Sequence, residues 1–84
     1  MFYVYLLESE IDKSWYIGYS SDLKTRFKSH NKGENLATKN KKPWKLIYYE
    51  AYTIRLDAKR REQFLKSGSG RKFLKRQLTN YLIK

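Results

Sequence analysis

Six side chains or their absence carry the chemistry that this sequence can do: Tyr5, Tyr16, Gly18, Arg26, His30 and Glu62. Tyr5 closes the run Tyr3-Val4-Tyr5, and Tyr16 and Gly18 fall within Trp15-Tyr16-Ile17-Gly18-Tyr19. Both runs are dominated by aromatic and β-branched residues, which predicts two β-strands joined by the polar hairpin Glu8 to Ser14. Alternate residues of a strand share a face, so Tyr3, Tyr5 and Leu7 group together, as do Tyr16 and Gly18. Pairing is expected to set Tyr5 beside Tyr16, with the bare backbone of Gly18 as an open spot next to them. Two phenols beside such a patch offer a seat to a phosphate or a water. The plainer alternative is a pair of strand tyrosines with solvated hydroxyls.

Arg26 and His30 need a helix to bring them together. Ser20-Ser21-Asp22 supplies N-cap residues, and the helix expected from about Asp22 to Asn31 has Leu23 and Phe27 as its apolar stripe. Arg26 and His30 flank that stripe one turn apart. An arginine at the edge of a buried face needs an acceptor, either a carboxylate or a phosphate, unless its stem simply covers apolar surface. Glu62 lies within the apolar arc of a helix expected over Ile54 to Lys66, capped by Thr53. Ile54, Ala58 and Leu65 share its side, and Arg61 stands at the border. A carboxylate there costs free energy unless something pairs with it. A metal ion or an arginine answers that need, and so does an ordinary structural ion pair.

The remaining elements follow in order. Asn31-Lys32-Gly33 ends the first helix, with Gly33 suited to the left-handed position. Glu34 to Pro43 is expected to be a mobile loop whose Lys39, Lys41 and Lys42 clamp a nucleic-acid backbone or are simply solvated. Trp44 to Tyr52 reads as a third, longer strand. Ser67-Gly68-Ser69-Gly70 is expected to break the chain before a third helix from about Arg71 to Leu82. That helix turns Leu74, Leu78, Tyr81 and Leu82 to the core and Arg71, Lys72, Lys75 and Arg76 outward. The order β-β-α-β-α-α predicts an α/β protein of the α+β kind, a three-stranded mixed or antiparallel sheet covered by helices.

The 84 residues suffice for one small domain, expected to span 1–84. With no cysteine and a single histidine, thiolate sites, disulfides and multi-histidine zinc sites are excluded. No apolar run approaches membrane-spanning length and no signal peptide opens the chain, so a soluble, cytoplasmic protein without a membrane partner is expected. Nineteen Lys and Arg against eight Asp and Glu give a formal charge of +11. Such a surplus attracts polyanions, nucleic acid before all others. An anionic membrane surface competes, but no stretch pairs a lysine-rich face with an apolar face free of core duties. Eight Tyr, four Phe and two Trp beside that charge also suit a surface on which bases stack.

The same residues resemble the signatures of the GIY-YIG nuclease superfamily. Tyr3-Val4-Tyr5 and Tyr16-Ile17-Gly18 look like its two name-giving runs at their usual separation. The segment Asp22 to Asn31 resembles its first helix, and Ala58, Arg61 and Glu62 the stretch that carries its acidic residue. The likeness covers nearly the whole chain and is nearest to small stand-alone bacterial UvrC-like (excinuclease-subunit-C-like) endonucleases. Tyr3 stands where the first signature has glycine, and Val4 where it has isoleucine. Asn80 lies too far along to match the polar residue that often follows the glutamate.

The resemblance implies a three-stranded antiparallel sheet flanked by helices, three in this sequence. It also implies a metal-dependent endonuclease that hydrolyses DNA, with branched and damaged DNA among the candidate substrates, in repair or recombination. It assigns catalytic roles to Tyr5, Tyr16, Arg26, His30 and Glu62, with Glu62 holding one Mg²⁺ or Mn²⁺ and Gly18 beside the substrate. Lys39, Lys41 and Lys42 are the expected backbone clamp. Tyr5 or Tyr16 would deprotonate the attacking water only with a lowered phenol pKa, whereas an ordinary histidine pKa suits His30 to that task. The sequence leaves that choice open. The alternative is a basic nucleic-acid-binding module that keeps the scaffold without turnover.

Overall fold

A computed structural model describes all residues, Met1–Lys84. Three strands, β1 (Phe2–Ser9), β2 (Trp15–Ser20) and β3 (Trp44–Tyr52), form a sheet in the order β2-β1-β3. Both pairings are antiparallel. The central strand β1 is buried from Val4 to Ser9, as expected for a strand covered on both faces.

Alternation along β1 sends side chains to two separate cores. Val4 and Leu6 join Ile17, Ala58, Leu65 and Leu74 on one face, beneath α2 (Arg55–Lys66) and α3 (Gly68–Gln77). Tyr5 and Leu7 join Trp44 on the other, with Leu23 and Phe27 of α1 (Leu23–Lys32) packed against them. The Asp22 side chain caps α1 by accepting from the Thr25 amide, and Gly33 ends it at φ 80°. Asn31 clips the end of α1 to the start of β3: its side chain accepts from the Trp44 amide at 2.6 Å and donates to the Trp44 carbonyl at 3.0 Å.

The C-terminal part departs from expectation. The helix breaks at Ser67, as expected, but α3 begins at once at Gly68, and Ser67 caps it by accepting from the Gly70 amide at 3.1 Å. Gly70 sits inside the helix because α2 crosses it closely, and a Cβ there would lie 1.9 Å from the Phe64 carbonyl oxygen. The expected third helix is two, α3 and a short α4 (Thr79–Ile83), with Leu78 between them. Leu82 is left 43% exposed rather than in the core, while the Tyr81 hydroxyl donates to Glu8. Helix α2 starts one residue later than expected and has no Thr53 cap; Ile54, placed on the buried stripe by spacing, is 57% exposed.

The Glu34 to Pro43 segment is built into the fold. It holds a 3-10 turn at Lys39–Lys41, and the carbonyls of Lys41 and Thr38 accept from Ser9 Oγ and from the Trp44 indole. On the far side of the sheet, Glu50 of β3 accepts from both phenols of Tyr48 and Tyr52 and from Arg61, Nε at 2.8 Å and a second guanidinium nitrogen at 2.9 Å. The Arg61 guanidinium also lies over the rings of Phe64 and Phe73. Arg61 is thus the structural partner of Glu50, and not of Glu62.

Candidate active site

The register of β1 on β2 decides how the phenols meet. Tyr5 pairs with Gly18, and Tyr16 pairs with Leu7. The two tyrosines, expected side by side, are therefore diagonal neighbours on one face. Gly18 is not an open patch either. The far end of the Tyr5 ring lies over it, so that a Cβ at Gly18 would be 2.3 Å from the Tyr5 oxygen and 2.4 Å from Cζ. Glycine at 18 lets a phenol from the central strand cross the edge strand β2; a larger residue would block it.

His30 lies between the two phenols. Helical spacing placed it on a flank of α1, but it is fully buried at 0% exposure. Its Nε2 is 2.8 Å from the Tyr5 oxygen and its Nδ1 is 2.8 Å from Thr38 Oγ1. The Tyr5 and Tyr16 rings both meet it edge-on, with centroids 5.7 and 5.1 Å away. Burial, aided by the positive charge of Arg26, pushes the His30 pKa below its ordinary 6.5, so the ring is neutral at neutral pH.

Arg26, one turn earlier on α1, is exposed. Its guanidinium and the Glu62 carboxylate of α2 are both near enough for their charges to bias the Tyr5 phenol. Burial is the main cause that raises the Tyr5 pKa above the ordinary phenol value, and Tyr16 and Glu62 add to it. Arg26 opposes them. Glu62 itself is buried, with Oε1 3.3 Å from Lys59 Nζ and Oε2 3.0 Å from Lys66 Nζ. Contacts thus join Tyr5, Tyr16 and His30, and the charges of Arg26 and Glu62 reach the same Tyr5 phenol.

Glu62 belongs to no group of three or more His, Asp or Glu side chains that would form a protein-only cation cage. One carboxylate nonetheless suits a hard divalent cation whose other ligands are water and phosphate oxygens. The two lysines on it are half-exposed, and such pairs are worth about 0–1 kcal/mol, so they can give way.

Lys39, Lys41 and Lys42 are all exposed, and Lys41 Nζ pairs with Asp12 of the β1–β2 hairpin at 3.3 Å. Three side chains at or beside the site escaped the sequence reading. Lys59 and Lys66 were legible in principle, standing three residues before and four after Glu62. Thr38 was not, because nothing in a polar loop marks the one hydroxyl that a distant ring will meet.

Comparison with known proteins identifies the family and the fold. Residues 1–76 match the family model described as the GIY-YIG catalytic domain. The UPF0213 protein SH2523 of Staphylococcus haemolyticus is 35% identical over 74 residues, 87% of this chain and 89% of that protein. The UPF0213 protein YazA of Bacillus subtilis is 39% identical over 56 residues, which span 66% of this chain and 57% of YazA. The solution NMR structure of the UPF0213 protein BH0048 from Bacillus halodurans superimposes with a TM-score of 0.56 at 37% identity, covering 96% of this chain and 85% of that one. No helix is long and apolar enough to cross a membrane. With its three-stranded antiparallel sheet, its four helices and both signature strands in place, the chain belongs to the GIY-YIG family.

Proposed function

We propose that the chain acts as one domain over residues 1–84 and hydrolyses phosphodiester bonds of DNA with the help of one divalent cation, Mg²⁺ or Mn²⁺. The observation that carries this reading is the meeting of a phenol, a neutral imidazole, a guanidinium and a carboxylate at the β2 edge, drawn from three different elements. The formal charge of +11 suits a polyanionic substrate.

Each group has work that fits its chemistry. Arg26, exposed at the rim, grips the scissile phosphate with its planar fork and offsets the charge that grows on the phosphoryl oxygens. The Tyr5–His30 pair holds the attacking water at the phenol oxygen and manages its proton. Tyr16, packed on His30, adds a hydroxyl within the same cluster. Glu62 is the residue that would hold the cation, with Lys59 and Lys66 displaced toward the phosphates. Bound there, the cation supplies Lewis-acid stabilisation of the leaving oxygen. Gly18 contributes by letting Tyr5 reach this place, and Lys39, Lys41 and Lys42 offer charge for DNA flanking the cut.

Purified protein incubated with branched, nicked, single-stranded and duplex DNA, with Mg²⁺, Mn²⁺ or EDTA, tests the proposal. Products that need the metal and vanish with EDTA are expected. Salt-sensitive gel shifts without products under any metal would instead mark a binding module on this scaffold.

A further inference from the structure

We infer that the cleft between the β1–β2 hairpin and α3 is a second DNA-backbone seat, in which Lys13, Arg71 and Lys75 take a phosphodiester of the substrate away from the cut. This deepens the proposed function and rests on its DNA partner, not on its chemistry.

The cleft measures about 470 Å³. Lys13 and Ser14 of the hairpin, Trp15 at the start of β2, and Arg71 and Lys75 of α3 line it. Four residues apart on one helix, Arg71 and Lys75 stand one above the other on the same face. All three cations are exposed. The chain's four ion pairs are Lys41–Asp12, Lys59–Glu62, Lys66–Glu62 and Arg61–Glu50, so none of the three has a carboxylate partner. The one acid in the cleft is Glu8, 8% exposed and held by neutral donors. Its Oε2 accepts from the Trp15 indole at 3.2 Å and its Oε1 from the Tyr81 hydroxyl at 2.5 Å.

Three cations against one carboxylate leave the cleft net positive. Like charges brought together repel, the more so in a chain of formal charge +11. A phosphodiester relieves that repulsion through charge-assisted hydrogen bonds, with Arg71 supplying a planar fork. Ser14 Oγ accepts from Lys41 Nζ at 3.4 Å and keeps its own hydrogen for the same phosphate oxygens.

The seat stands on fixed backbone. The Ser9 amide donates to the Ser14 carbonyl at 2.8 Å, and the Lys13 amide to the Ser9 carbonyl at 2.9 Å, with Lys13 in the left-handed region at φ 65°. Leu74 is fully buried and anchors α3 between Arg71 and Lys75. Along β2, Trp15 precedes Gly18 by three residues, about 10 Å of strand. That is about three nucleotides of helix rise, so DNA cut at the Tyr5–Gly18 crossing reaches the cleft within a few nucleotides.

Titrations of the full chain with a fluorescein-labelled DNA duplex in EDTA, at several salt concentrations, test this with no cleavage involved. Arg71→Ala/Lys75→Ala takes both α3 cations from the cleft. Lys72→Ala/Arg76→Ala takes the same charge from the same helix about 100° round its axis, at residues that do not line the cleft. The slope of log affinity against log salt should fall by about 2 in the first variant and by far less in the second. Lys13→Asn removes the hairpin charge and keeps a residue at ease in left-handed backbone, and should lower the slope by about 1. All the changed side chains are exposed, and thermal melts check that each variant is folded. Equal losses in the two double variants overturn the inference, as does an unchanged slope in Arg71→Ala/Lys75→Ala. A cleft-specific loss without cleavage under any metal would keep the seat and remove the nuclease. Metal-dependent cleavage with equal losses would do the reverse.

Discussion

Tyr5 lies across Gly18, from the central strand over the edge strand, with its oxygen 2.3 Å from where a Cβ at position 18 would stand. The direct pairing of these two residues in the β1–β2 register creates the crossing. It puts the phenol in reach of His30 and at the side of the sheet where Arg26 and Glu62 act on it. A glycine in an edge strand is ordinarily a weakness; here it is the opening through which the Tyr5 phenol passes.

Gly18→Ala should therefore cost activity far more than fold. The methyl must displace the Tyr5 ring and break its hydrogen bond to His30. Overpacking of this kind costs about 1–3 kcal/mol of stability. Misplacing a positioned group by about 1 Å costs about 100-fold in rate. Thermal denaturation beside single-turnover cleavage checks both. An alanine variant with wild-type activity would show that the phenol has no part in catalysis.

The pH dependence of cleavage should identify the proton acceptor. Burial first, then Tyr16 of β2 and Glu62 of α2, hold the Tyr5 pKa above the ordinary phenol value of 10.0, against Arg26 of α1. Its anion then grows about tenfold per pH unit throughout the range where DNA duplexes are stable. Single-turnover rates should rise with a log–log slope near +1 from about pH 7 to about pH 9. His30 has its pKa below 6.5 and is already neutral there, so a flat profile over the same range would make it the acceptor.

The Glu50–Arg61 cluster should govern stability and leave the chemistry alone. Burial by itself would raise the Glu50 pKa, but Arg61, Tyr48 and Tyr52 outweigh it and hold the carboxyl below its ordinary 4.5. A depressed folded-state pKa gives stability that is full above pH 4.5 and lost as pH falls through the folded value. Burial and Glu50 push the Tyr48 and Tyr52 phenols up to about 12, so their contribution is full below 10.0 and lost as pH rises through 12. Glu50→Gln should destabilise the protein by about 1–3 kcal/mol at neutral pH and flatten the acid side of the stability curve. Denaturant titrations between acid and neutral pH measure it, and unchanged acid sensitivity would contradict the assignment.

Glu62→Gln should behave in the opposite way. It removes a carboxylate whose partners are two half-exposed lysines, so the expected change in stability is within about 1 kcal/mol. Cleavage in Mg²⁺ or Mn²⁺ should vanish while DNA binding, with one negative charge fewer, is kept or strengthened. Retained metal-dependent cleavage by this variant would remove Glu62 from the site.

What the sequence could reveal followed the range of the forces involved. Local patterns were legible: the aromatic alternation of β1 and β2, the Asp22 cap, the left-handed Gly33 and the whole of β3 stand as read. Tertiary contacts were not. The break read over Ser67 to Gly70 is confined to Ser67, because the backbone cost of Gly68 and Gly70 is local, while the close crossing of α2 that requires Gly70 is not. His30 looked like a flank residue of α1 because spacing shows the direction of a side chain and not what the chain later folds over it. The register that pairs Tyr5 with Gly18 depends on where the hairpin closes, and a two-residue shift would keep every face unchanged. The candidate site was thus readable as a set of residues, and unreadable as a geometry.

Arg26 and Glu62 come from helices on opposite faces of the sheet, and the proposed hydrolysis requires them to serve one phosphate at the β2 edge. Single-turnover cleavage by Arg26→Ala, Glu62→Gln and the double variant, at saturating protein with Mn²⁺, measures that directly. Each single change should slow cleavage by about 100-fold or more, and the double variant should be scarcely slower than the worse single one, because residues that act as a unit are not additive. Wild-type rates in all three, or losses that simply multiply, would show that the two groups do not share a reaction.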